Sequence, residues 1–520
     1  MLLSDFLLQH GRTAPERDAL VHDGVRWDHA RLAAEVARYR TALAELGLGR
    51  GDRVVSRMEA DPDAIALLIA TMALGAAYVP VAPELPPARF EAILARLEPA
   101  AVVVSSDLRD APGVPPGTQV GPLVVARTAH PVSGDTTAPG PEDAAYIIMT
   151  SGSTGQPKGI VMTHGAAVNT LRGFSELGVP SSARVGTISP LHFDFAMFDV
   201  GMALGNGATL VQVPRMLAYQ PRGLVEYLDE HRVTQMHSVP SVWRPLLTEG
   251  DASLLGGLRH LDTILYAAES FPAKDVHTLQ GWRPDLRIVQ CFGHSESIGC
   301  CFKTFANPAA TFKGRLSLGV ALRGTEMFAL DEAGREIGVG EEGELYVRGP
   351  HLFRGYWRDE AQTRQRLVPD PRTGEGAVFR SGDVVTRDEQ GEFYFIGRLD
   401  HQVKVGGNRV ELSEIEHVVE GDPDVAAAVA VVPADEARAT LTCFVVVRGS
   451  TPWNELMVRL RSRMSAAMPR YMVPRHLRRL ESFPVLSNGK VDRLRLAQMA
   501  AEPEAPAPLR TPRNPSLEVP

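Results

Sequence analysis

The chain has 520 residues, and single hydrophobic cores stop growing near about 250–300 residues, so at least two domains are expected. Hydrophobic residues make up 44 % and charged residues 22 %, which excludes a mostly disordered, collagen-like or membrane-bundle protein. Basic residues number 54 against 62 acidic ones, a net charge of −8, so nothing draws the whole molecule to nucleic acid or anionic membrane, and a strongly anionic ligand needs a local site.

The first segment, MLLSDFLLQHGR, carries Asp5 inside its apolar stretch and has no basic leader, so it does not read as a signal peptide. Residues 12–100 alternate helical patterns (RLAAEVARYRTALAELG) with short β-rich runs (DRVVSRM, AAVVVSS), the signature of an α/β sheet. The uncharged run from Ala64 to Ala82 is long enough for a membrane span. It is rich in alanine and interrupted by Pro80, so it reads as a buried helix turning into the strand-like YVPV. A cytoplasmic protein without membrane contact is expected. Residues 109–142 look like a loop, and ATLVQV, TQMHSVP, HLDTILYAA and LRIVQCF continue the α/β alternation. From about 315 to 397, short strands separated by glycine-rich turns predict an antiparallel, barrel-like subdomain. A smaller α/β unit follows Arg398, and the last twenty residues hold six prolines and are expected to be a disordered tail.

Four cysteines make no disulfide framework, and Cys291, Cys300 and Cys301 lack metal-knuckle spacing. Only six of the 54 basic residues are lysine, including Lys158, Lys404 and Lys490. Where arginine is the default cation, a lysine supplies a compact point charge that a planar guanidinium does not imitate.

The strongest local feature runs from Tyr146 to Gly159: a β-rich run, then Thr150-Ser151-Gly152-Ser153-Thr154-Gly155, then Lys158-Gly159. Glycines free backbone amides to approach an anion, hydroxyls add donors and the lysine adds charge, which suits a polyphosphate. It is not a Walker loop, because G-x-x-x-x-G-K-[ST] is absent. Two other patterns fail on context. Gly338-Val-Gly340-Glu-Glu-Gly343 matches G-x-G-x-x-G but precedes a strand and carries two acids. Gly293-His294-Ser295-Glu296-Ser297 follows a strand like a hydrolase elbow but lacks the final glycine, leaving a thioesterase-type hydrolase using Ser295 as the alternative from another class.

Together with LGAAYVPVAP at 74–83, SPLHFDFAMFD at 189–199, QCFGHSE at 290–296, FRSGDVV at 379–385, GRLDHQVKVGGNRVEL at 397–412 and LSNGKVD at 486–492, the glycine-rich loop resembles the adenylate-forming superfamily of acyl-CoA ligases, luciferases and amino-acid adenylation domains. The resemblance spans roughly residues 10–495. It implies an α/β protein with a large domain of stacked α/β subdomains plus a barrel-like β subdomain (1–397), a small mobile α+β domain (398–497) and the tail (498–520). It implies ATP and Mg²⁺ as cofactors. Thr150, Ser151, Gly152, Ser153, Thr154, Gly155 and Lys158 would hold the phosphates, with Ala268, Glu269, Gly293 and Ser295 nearby. Phe292 would pack on adenine, Asp383 and Arg398 would hold the ribose, and Glu296 would bind Mg²⁺. Asp400 would be the hinge. Lys490 would bridge the acid and the α-phosphate, where a cation stabilises the charge that builds in the transition state. The family's usual Pro and Thr before Glu296 are His294 and Ser295 here, and the resemblance gives His294 no role.

Within the superfamily, Asp194 discriminates. In amino-acid adenylation domains the aspartate of this motif pairs with the substrate ammonium, and a buried carboxylate in an apolar stretch is costly unless a cation meets it. Asp199 is a competing carboxylate. The family's pocket positions map onto Asp194, Phe195, Phe198, Ser238, Leu265, Ala267, Cys291, Gly299 and Cys300, beside Phe193, with Lys490 closing the site. An apolar side chain is expected, proline-like or somewhat larger, with a β-amino acid as a further possibility. Without a carrier or condensation region in the sequence, the expected partner is a phosphopantetheinylated carrier protein acting in trans, with CoA as the alternative acceptor.

Overall fold

Asp61 caps the helix Pro62–Ala73: its carboxylate accepts the Ala64 amide at 2.7 Å, and Pro62 takes the first turn, where a missing N–H costs nothing. Every side chain from Ala64 to Met72 is buried, so the uncharged run is an interior helix. Gly75, at φ +85°, then turns the chain into the strand Ala77–Val81; a side chain there would also meet Arg50 at 3.1 Å. The computed structural model describes residues 1–150, 157–250, 252–399, 402–433, 440–485 and 491–502. Among them, no helix is long and apolar enough to cross a membrane.

Two large sheets follow from the alternating segments. The first has eight strands, with Ala77–Val81, Arg53–Arg57 and Ala101–Ser105 parallel at its centre and the antiparallel pair Ala144–Thr150 and Lys158–Thr163 beside them. The second has nine strands, with a parallel run in the order Arg287–Phe292, Thr263–Tyr266, Gln235–Ser238, Arg184–Thr187, Thr209–Gln212. Its central strands are buried on both faces, with polar residues such as Gln235, His237 and Ser238 among the buried ones. One core joins the two sheets through the helices Pro62–Ala73, His164–Gly173 and Asp194–Leu204, and a second lies on the far face around Trp243. The segment 326–398 forms a five-stranded antiparallel sheet, as the glycine-rich turns predict.

Arg398 ends the last strand of that sheet, and the Leu399 amide still bonds the Gly382 carbonyl at 2.8 Å. The hairpin Gln402–Val405 and Asn408–Glu411 follows, then a three-stranded sheet with the helices Leu412–Glu420 and Trp453–Ala467 around its own core. Two stretches outside the described residues hold many of the sequence-predicted groups: Ser151, Gly152, Ser153, Thr154 and Gly155 in one, Lys490 in the other. Asp400 also lies outside them.

Candidate active site

The parallel strands of the nine-stranded sheet end at a cavity of about 990 Å³, in the crevice where open α/β sheets place ligands. Its wall takes in the ends of the first sheet, the five-stranded sheet and the hairpin Gln402–Glu411. Thr150, Ala268, Glu269, Phe292, Gly293, Ser295, Asp383 and Arg398 all face it.

Thr150 and Lys158 pair across the antiparallel ladder, on either side of the glycine-rich stretch. The Thr150 hydroxyl is buried and has no partner among the described residues. Lys158 is buried too, its Nζ 3.6 Å from a Glu411 oxygen and 5.4 Å over the Tyr356 ring. Burial, with Arg409 adding to it, pushes its pKa down to about 8 against the pull of Glu296 and Glu411.

Glu296 is fully buried. Arg409 donates from one nitrogen to both of its oxygens, at 2.8 and 2.9 Å, and the Tyr356 hydroxyl donates to Oε1 at 2.7 Å. Burial pushes this carboxyl up, but Arg409, Lys158 and Tyr356 together hold it well below the usual carboxylate range. Asp383 lies opposite Arg398 in the antiparallel ladder, and the Arg398 guanidinium bonds its Oδ1. Its Oδ2 meets His294 Nε2 at 2.6 Å. Against the upward push of burial, His294 and then Arg398 keep Asp383 ionised.

Asp194 opens the helix Asp194–Leu204, where the orphan amides of a first turn favour an acid. Its Oδ1 accepts the Phe195 amide at 3.0 Å, and the Ser295 hydroxyl bonds the carboxylate. Withdrawal from water raises its pKa, only partly offset by Lys404 and Ser295. Asp199, five residues on, is fully spoken for: Thr187 Oγ1 donates to it at 2.5 Å and His237 Nδ1 lies 2.9 Å away, outside the cavity wall.

Around Asp194 the wall is aromatic. Phe193, Phe195, Phe198, Ala267, Cys291 and Gly299 line it, with Phe195 and Phe198 stacked at 5.6 Å. Phe174, which no motif singles out, packs edge-on to Phe198 at 4.9 Å. A Cβ at Gly299 would meet the Phe174 ring at 2.7 Å, so the smallness of Gly299 makes room for Phe174. Ser238, Leu265 and Cys300 stand off the wall: the Ser238 hydroxyl accepts from Trp243 Nε1 at 2.9 Å, Leu265 packs in the core, and the Cys300 thiol points to the Phe292 carbonyl at 3.4 Å.

The hairpin brings in residues that no single motif reveals. Lys404 lines the cavity and its charge pulls both Asp194 and Asp383 down. The Gly407 amide donates to Glu269 Oε1 at 2.9 Å, while Oε2 takes the Ser241 amide at 3.0 Å. Gly407 is at φ +76°, and a Cβ there would meet Val239 at 2.7 Å.

The family model of the AMP-binding enzymes matches residues 7–357, and that of the AMP-binding enzyme C-terminal domain matches residues 414–490. The chain belongs to the AMP-binding enzyme family. It is 30 % identical over 524 residues to the L-proline--[L-prolyl-carrier protein] ligase of Pseudomonas fluorescens, covering 96 % of this chain and 99 % of that one. It is 29 % identical over 529 residues to a dimodular nonribosomal peptide synthase of Bacillus subtilis, of whose length it spans 21 %. The solved structure of IdnL1 is 37 % identical and superposes with a TM-score of 0.83, over 93 % of this chain and 99 % of that one. The stacked α/β architecture with a small C-terminal unit is thus the family's own, and an α/β-hydrolase reading of Ser295 falls.

Proposed function

We propose that the enzyme joins an amino acid with an apolar side chain to AMP, releasing pyrophosphate, and then passes the aminoacyl group to the phosphopantetheine thiol of a carrier protein in trans. The observation that carries the amino-acid reading is Asp194. Its carboxyl is desolvated among Phe193, Phe195 and Phe198 and its pKa is raised, the charge of Lys404 offsetting that only in part. A substrate ammonium would remove that cost, which fatty and aryl acids cannot do. The relative from Pseudomonas fluorescens, similar over nearly its whole length, supports both the amino acid and the carrier protein.

In the first step a carboxylate oxygen of the substrate attacks the α-phosphorus of ATP, and the bond to the bridging oxygen of pyrophosphate breaks. Asp194 holds the ammonium, Asp383 and Arg398 the ribose, Phe292 the adenine face, and Lys158 with Thr150 the phosphates. Lys490 supplies charge at the reacting oxygens. In the second step the sulfur attacks the carbonyl, the bond to AMP breaks and the thiol proton leaves to water. Magnesium, which neutralises phosphate charge when bound, suits the oxygen donors present, since Glu296 is an ionised buried carboxylate and the Thr150 hydroxyl has no partner among the described residues. Arg409 holds both Glu296 oxygens and would compete with that cation for the carboxylate, so we assign the orientation with Arg409 docked to the second step.

Amino-acid-dependent pyrophosphate exchange tests the reading, run over α-amino, β-amino, fatty and aryl acids. We expect exchange with one or a few apolar amino acids, α or β. Exchange supported by fatty or aryl acids alone would overturn it.

A further inference from the structure

His294 stands before the Ser295-Glu296 pair, and its surroundings are specific. Its ring is buried and sits edge-on to Phe292 at 5.2 Å and to Phe379 at 5.1 Å. The backbone behind it is a closed turn: the His294 amide donates to Ser297 Oγ at 3.2 Å, and the Ser297 amide returns a bond to the His294 carbonyl at 2.9 Å. The ring's only hydrogen bond among the described residues runs from Nε2 to Asp383 Oδ2, at 2.6 Å; Nδ1 is buried without a partner, so nothing competes for the ring.

Asp383 is fixed from every side. Arg398 bonds Oδ1, His294 bonds Oδ2, and the Asp383 amide donates to Ser381 Oγ at 3.0 Å, whose hydroxyl donates to the Leu345 carbonyl at 2.7 Å. A carboxylate oxygen accepts more than one bond, so each oxygen keeps an acceptor direction open, and both His294 and Asp383 line the cavity. With Arg398 alone, the carboxylate would keep one anchor and could rotate about it.

We propose that His294 is a positioning residue for the nucleotide: it locks the Asp383 carboxylate so that both of its remaining acceptor directions meet the vicinal hydroxyls of the ribose. This rests on the reading that the cavity binds ATP with its ribose on Asp383. A site built to bond hydroxyls rejects a ligand that lacks them, and that rejection depends on the acceptors being held in place.

The test compares kcat/KM for ATP with that for 2′,3′-dideoxy-ATP in pyrophosphate exchange, in the wild type, His294→Leu and His294→Gln. The preference is a ratio measured on one protein sample, so a partly unfolded fraction cancels. We expect the wild type to favour ATP, and His294→Leu to shrink that preference by about tenfold or more, the scale of weakening a hydrogen bond to a charged group. The loss with ATP should fall more on nucleotide KM than on kcat, and His294→Gln, whose amide still donates, should restore part of it. An unchanged preference in His294→Leu, or equal losses with both nucleotides, would overturn the proposal while leaving the adenylation reading intact. A wild type without any exchange would overturn that reading, and this proposal with it.

Discussion

Asp194 and Asp199 share one helix and differ in what meets their charge. Asp199 has a hydroxyl and an imidazole; Asp194 has a backbone amide, a hydroxyl and the distant Lys404. The motif resemblance favours Asp194 over its competitor Asp199, and the physical difference shows only in the fold, where Thr187 and His237 meet Asp199. The same holds for Ser238. Successive strand residues face opposite ways, so a pocket position mapped onto the strand Gln235–Ser238 does not by itself say which face it serves, and here the hydroxyl turns to Trp243. Lys158 carries the residue-scale prediction. Its pKa is lowered to about 8, so its ammonium is charged below that pH and neutral above it. In the free enzyme, kcat/KM for ATP should therefore fall on the alkaline side with a midpoint near pH 8. In Lys158→Arg that limb should vanish, whatever the overall loss, because a guanidinium does not titrate there. The same limb persisting in the arginine variant would assign it to another group.

At the scale of elements, the helices and strands were legible because their signals are local: the helical pattern RLAAEVARYRTALAELG, the alanine-rich run ahead of Pro80, the short β runs with glycine between them. The docking of the hairpin Gln402–Glu411 was not. Its sequence reads as a hinge motif, yet its tip is held by Glu269 and Arg409 reaches Glu296, contacts spanning more than a hundred residues. Those contacts make the hairpin the wall of the site in this orientation. Gly407→Val puts a branched side chain at φ +76° and against Val239, so the tip cannot seat. Thioester formation from preformed aminoacyl-AMP should drop by at least ~10-fold, and pyrophosphate exchange by much less, when single-turnover rates of the two half-reactions are compared. Lys490→Ala should show the opposite pattern, slowing adenylation by at least ~10²-fold, the scale of one preorganised electrostatic contact. Equal damage to both half-reactions by either change would contradict the division of labour.

Across the whole molecule, two units meet over one cavity, and a few charged contacts set how they meet. Arg89 on the helix Pro87–Leu97 pairs with Glu414 at 2.5 Å, and Arg409 with Glu296 at 2.8 Å. Glu296 is also the carboxylate that suits magnesium, so cation and arginine are alternatives at one group, and loading Mg²⁺ and ATP should free the small unit to turn. The order of motifs along the chain foretold the two-unit architecture, because each motif is a short local pattern. The interface was not foretold, because it is made of pairings between motifs. The proposed amino-acid activity turns on Asp194 meeting a substrate ammonium. The direct measurement is kcat/KM in pyrophosphate exchange for the best amino acid and for the same acid without its amino group, in the wild type and in Asp194→Ala. We expect the wild type to prefer the amino acid, and Asp194→Ala to lose at least ~10²-fold on it, as for a buried charge pair, while losing little or nothing on the desamino acid. A wild type indifferent to the amino group, or a variant that loses equally on both acids, would contradict it.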